Sequence, residues 1–105
     1  MKEQIRESIV EKVAKEFVDY VLNEDEELIF LDDYGFKEAI RIEAKEMDAE
    51  FDDETLDEML DDAEIKFINL IREQGFAVYF PQMTFAYKGK WIRAEVGGLT
   101  ILKEA

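Results

Sequence analysis

Apolar residues recur at four-residue steps over residues 3–22: Ile5, Ile9, Val13, Phe17 and Val21, with Val10, Ala14 and Val18 widening the stripe. Side chains at that spacing share one side of a helix, so the pattern predicts an amphipathic helix. "NEDEE" at 23–27 breaks the pattern and reads as a polar connection. "LIFL" at 28–31 is a short continuous apolar run, a strand or a buried extended segment, and "DDYG" at 32–35 is a turn or a helix start. A second helix is predicted over 36–49, with Phe36, Ala39, Ile40 and Met47 facing inward. A third is predicted over 53–74, with Asp52 or Asp53 accepting hydrogen bonds from its first free amides. Its core stripe is Leu56, Leu60, Ala63, Phe67, Leu70 and Ile71, and Gly75 is a natural stop just past its end.

At Phe76 the period shortens. "FAVYF" at 76–80 is a strand bounded by Pro81. "MTFAY" and "WIRAEV" flank a turn around Gly89, and "GG" at 97–98 is a second tight turn before "LTILKE". Three helices (about 3–22, 36–49 and 53–74) followed by a small antiparallel β-meander (about 76–103) make an α+β fold, read as a single acidic domain over 1–105. The order of helix, short strand, two helices and hairpin resembles a winged-helix domain, in topology only. That resemblance implies that the helix before the hairpin is the groove-reading one. Here that helix begins "DDETLDEMLDD". Such a charge is repelled by DNA, so a winged-helix likeness implies a DNA-reading role that is lost or inverted.

Composition narrows the chemistry. The chain has neither Cys nor His, which excludes a disulfide frame, a thiol nucleophile, an iron–sulfur site and the commonest general base and metal ligand. Nearly half the residues are hydrophobic and 8 are Phe, which argues for a folded core in spite of the charge. The first residues alternate charged and apolar positions, unlike a signal peptide, and no apolar run reaches the length of a membrane span. A cytoplasmic protein is expected.

The charge is segregated. Residues 24–64 carry nineteen acids against Lys37, Arg41 and Lys45, while residues 65–105 carry three acids and six bases. The whole chain is at −14. Salt-adapted proteins spread their acids more evenly and are poor in Lys, so this block needs another explanation. On a helical wheel Asp53, Asp57 and Asp61 form one row and Glu54, Glu58 and Asp62 the adjacent row, opposite the apolar stripe. Ile65 falls in the middle of this acidic side, either as an exposed anchor or buried beneath "LIFL". Two offset rows with a rise of about 6 Å per four residues present a carboxylate about every 3 Å of axis. A DNA strand presents a phosphate about every 3.4 Å. With "NEDEE", Asp32, Asp33, Glu43, Glu46 and Glu50 alongside, such a helix imitates a nucleic-acid backbone. The plainer alternative is a solvated face kept for solubility.

The expected function is a non-enzymatic inhibitor that binds a basic nucleic-acid-handling protein and blocks its DNA or RNA site. In composition and physics the chain resembles small phage proteins that block restriction or CRISPR nucleases, and immunity proteins that neutralise toxic nucleases. The partner-binding residues expected are Asp53, Glu54, Asp57, Glu58, Asp61, Asp62 and Ile65, with no catalytic residue, metal or cofactor, and no direct contact with nucleic acid or membrane. The alternative is a small structural or assembly protein acting through homo-oligomerisation, since the basic end of one chain complements the acidic block of another. A homodimer fits that polarity. Acid pairs abound, but "NEDEELIFLDDYG" has neither the glycine nor the spacing of an EF-hand loop, and no base stands beside Ser8, Thr55, Thr84 or Thr100. Tyr87, Lys88, Lys90, Trp91 and Arg93 alternate aromatic and basic character, which suits nucleic acid, but the stronger reading is a strand with one face packed on the helices and the other wet; Trp91 and Tyr87 near the turn form a second contact patch for a protein partner.

Overall fold

The computed structural model describes residues 2–26, 28–79, 84–87, 90–93 and 98–102. Three helices, α1 (Lys2–Asn23), α2 (Asp33–Glu46) and α3 (Asp53–Glu73), take up more than half of the chain. The strands are short: β1 (Leu28–Asp32), β2 (Ala77–Tyr79), β3 (Thr84–Tyr87), β4 (Lys90–Arg93) and β5 (Gly98–Leu102).

Local chemistry sets the helix ends. Asp32 is extended, and its Oδ1 accepts from the Gly35 amide at 2.6 Å. "DDYG" is therefore a helix start, and α2 begins three residues before the expected Phe36. The same helix ends at Glu46, so Met47 is a cap residue and is exposed, where the periodicity placed it inward. Asp48 follows at φ 53°, a left-handed conformation that Asp tolerates better than most residues and that ends the helical path. On α3, Asp52 is the cap, accepting from the Thr55 amide at 2.8 Å. Gly75 takes φ 91° just beyond its last turn, where a side chain would be strained.

The core forms where the three helical stripes meet. Phe17 of α1 stacks on Phe36 of α2 with ring centroids 4.0 Å apart. Phe67 of α3 meets both rings edge-on, at 6.5 and 5.6 Å. Ile9, Val13 and Val21, Ile40, and Met59 and Ile71 close the helical layer. Ile29, Leu31, Val78, Leu99 and Ile101 add the inner side of a small sheet. Each large side chain removed from water in this way contributes about 1.5–3 kcal/mol.

Strand pairing departs from the expected meander. The three-stranded sheet has the order β1-β5-β2, antiparallel throughout, and among the described residues β3 and β4 pair only with each other. The registers Ile29↔Ile101, Leu31↔Leu99 and Val78↔Ile101 place the buried residues side by side. With β5 central, Leu99 and Ile101 complete the apolar layer between Ile29, Leu31 and Val78. The pairing of β3 with β4 matches the expected hairpin, with Phe85 opposite Ile92. The turn expected around Gly89 and the Gly97 half of the second turn lie outside the described residues.

Candidate partner-binding site

The site starts from α3, whose apolar side is consumed by the core. Leu56, Met59, Ala63, Phe67, Ile68 and Ile71 are buried. What remains for solvent is the acidic side, and Asp53, Glu54, Asp57, Glu58, Asp61, Asp62 and Ile65 are all exposed, in one contiguous helical surface. Ile65 is 59% exposed, whereas Ile68, one turn on, is buried at 7%. Of the two positions open to Ile65, the structure selects the exposed one. It sits in a shallow hollow with Asp62, Lys66, Asn69, Leu70 and Glu73.

The acids are not all without counter-charge. Arg6 of α1 reaches Glu58 with Nη1 and Asp62 with Nη2, each at 3.3 Å. Lys37 of α2 donates to Asp57 Oδ1 at 2.7 Å. These two cations are 29% and 22% exposed, against 54–63% for the three carboxylates they hold. The cations therefore lie at the base of the array, with the carboxylates above them. They tie α3 to both neighbouring helices while leaving carboxylate surface open to solvent. Asp53, Glu54 and Asp61 make no ion pair among the described residues. Asp53 and Glu54 lie in the first turn, where the partial positive charge of the helix end favours them. Asp61 has no such help.

Beside Asp61, where α3 packs on the start of α2, Glu64 is half-buried against Asp33. Burial, then a hydrogen bond and charge repulsion from Asp33, then the charge of Asp61, push its carboxyl up to about 8. Two adjacent carboxyls cannot both ionise cheaply away from water, so Glu64 stays protonated at neutral pH. Glu64 belongs to the acidic stretch by sequence but adds little charge to it.

Glu43 is a correction to the extended acidic surface. It is 8% exposed, between α1 and α2, and its Oε2 is 2.8 Å from Lys12 Nζ. Burial and the proximity of Glu43 raise the carboxyl of Glu16 above its ordinary value. The sequence signal that marks Glu43 as inward is its place one turn from Ile40 and beside Ala44, on the buried side of α2.

A cavity of about 890 Å³ lies elsewhere, at the end of the helical layer between Ile5, Ala44, Ala49, Phe51 and Leu56, with Arg41, Lys45, Asp48 and Glu50 at its rim. Two cations and two acids leave its rim without a dominant sign. Among the described residues no group of three His, Cys, Asp or Glu side chains is placed to hold a metal ion, and no helix is long and apolar enough to cross a membrane. β3 and β4 carry Tyr87, Lys90, Trp91 and Arg93 in one hairpin, with Tyr87 opposite Lys90, while Lys88 is outside the described residues. Comparison with protein-family models, curated proteins and solved structures returns no match.

Proposed function

We propose that the chain is a non-enzymatic inhibitor that binds a basic nucleic-acid-handling protein, such as a restriction or CRISPR nuclease, and occludes its DNA or RNA site by mimicking the nucleic-acid backbone. One observation carries this reading. Six carboxylates and a single isoleucine occupy the exposed side of one rigid, capped helix, with supporting cations beneath part of the array. Ile65 adds an exposed apolar centre among those acids, and an apolar centre with a polar rim is the usual anatomy of an interface. The finer architecture of the reading is winged-helix-like. It is supported by the order α1-β1-α2-α3 followed by strands, and by β5 lying between β1 and β2. In that arrangement α3 is the helix a DNA-binding relative would place in the groove, here with the sign of its charge reversed.

The test uses the acids that hold no other helix. Glu54→Lys with Asp61→Lys leaves the Arg6 and Lys37 pairs intact, so the fold is expected to persist. Capture on the immobilised wild-type chain should retain a nuclease or other nucleic-acid-binding protein that DNA or RNA competes off and moderate salt releases. The double variant should retain none of it. Equal retention by both would remove α3 from the mechanism.

A second reading, an assembly protein acting through homo-oligomerisation, is favoured by exposed apolar side chains elsewhere. Tyr20 and Leu22 on α1 and Ile42 on α2 are all exposed. It expects a discrete oligomer in sedimentation that survives high salt, because an apolar interface is not screened.

A further inference from the structure

β1 is an edge strand. Its one paired side is taken by β5, and among the described residues no strand and no backbone hydrogen bond reaches the other side. Such an edge presents a row of open amide and carbonyl groups, and proteins normally blunt it with Pro, a bulge or a charge within the strand. Here the run Leu28–Leu31 has none of these, and its central Phe30 is 59% exposed. Charge stands only at the two ends. Glu24, Asp25 and Glu26 precede the strand, and Asp32 and Asp33 close it.

That pattern selects the occupant. Antiparallel pairing with a second copy about Phe30 would set the acidic flank of one chain against that of the other, and like charges opposite one another are destabilising. An extended segment with an apolar centre and a basic residue at each end meets the edge, the exposed ring and both acidic ends together. We propose that the free edge of β1 is a docking site for such a segment of a partner protein, added as a further strand beside β1. Main-chain hydrogen bonds supply the attachment, and the flanking cations supply the choice of partner. Acids at both ends allow either strand direction. The site does not rest on the reading of α3, because the open strand edge and Phe30 lie on β1 and not on α3.

The full chain, labelled with ¹⁵N, is titrated with three synthetic nonapeptides. One has a Val-Thr-Val-Thr-Val centre flanked by Lys-Lys at each end. The second has the same centre flanked by Glu-Glu. The third keeps the lysines but carries Pro at two central positions and so cannot add as a strand. The first peptide is expected to shift the amide signals of residues 28–32 and to bind at least about tenfold tighter than the second. The third is expected to leave those signals in place. Equal shifts from the first and third peptides would mean attraction by charge alone and would overturn strand addition. So would shifts confined to α3, or none at 28–32. Phe30→Thr, which keeps a strand-forming residue, should weaken the first peptide, and unchanged binding would likewise count against the site. Glu54→Lys, ten residues and about 15 Å along α3 from Glu64 and so away from Asp33, should not affect it, which separates its failure from that of the α3 reading.

Discussion

Glu64 shows how little of a residue's behaviour follows from its type. Its carboxyl titrates at about 8 in the folded chain, against an ordinary value of 4.5, because burial and Asp33 oppose its charge. Between those two values the folded state holds a proton that the unfolded state has released. Folding stability from this group is therefore intact below about pH 4.5 and declines as pH rises through 8. Glu64→Gln removes the decline. The variant is expected to melt above the wild type at pH 9 and to converge with it near pH 4, in thermal melts followed across pH. The Lys12–Glu43 pair is asymmetric in another way. Glu43 is buried and Lys12 is largely in water. Lys12→Ala strands a buried carboxylate, while Glu43→Gln returns an ammonium to solvent. Lys12→Ala is expected to show the lower urea midpoint of the two, and the reverse order would mean that Glu43 is solvated. Ile65→Ser, at an exposed position, should change stability by no more than about 0.5 kcal/mol while weakening partner binding.

At the scale of the element, α3 carries a cost and a partial remedy. Its two acidic rows contain like-charge pairs four residues apart, each worth about 0.2–0.5 kcal/mol of destabilisation. Arg6 and Lys37 answer three of the six acids from neighbouring helices. Arg6→Ala should therefore cost up to about 1 kcal/mol at low salt and less at high salt, read from denaturant midpoints at the two ionic strengths. The ends of α3 were legible because capping is a local matter: an Asp before the first turn and a Gly after the last occupy fixed offsets. The start of α2 was legible only as a choice, since "DDYG" suits a turn and a helix equally until Asp32 is seen to accept from Gly35. Asp32→Ala is expected to cost about 1 kcal/mol, with α2 reporting the loss first in hydrogen exchange.

For the whole molecule the segregated charge is the dominant variable. A net −14 on 105 residues repels itself, most strongly over residues 24–64. Raising the salt from low to physiological concentration is expected to raise the melting temperature, and an unchanged value would mean that the ion pairs already balance the array. On the proposed function, partner capture by α3 is expected to fall steeply with added salt, because exposed carboxylates are screened over about 8–10 Å.

The three helices, most of their inward stripes and the acidic side of α3 were determined by the sequence by itself, because helix periodicity and capping depend on residues a few positions apart; Met47, expected inward, and Met59 and Ile68, outside the expected stripe, are the exceptions. Phe17, Phe36 and Phe67 could be assigned to the core one by one, but their stacked and edge-on cluster could not. Tertiary structure alone decided that β5 enters between β1 and β2, since pairing Ile29 with Ile101 joins residues far apart in the chain, with α2 and α3 between them. It also decided that Glu43 is buried, that Ile65 is exposed, and that Arg6 and Lys37 stand under the acids. Each of those outcomes depends on which helix faces which, and a one-dimensional pattern carries the face of a helix but not the neighbour that covers it.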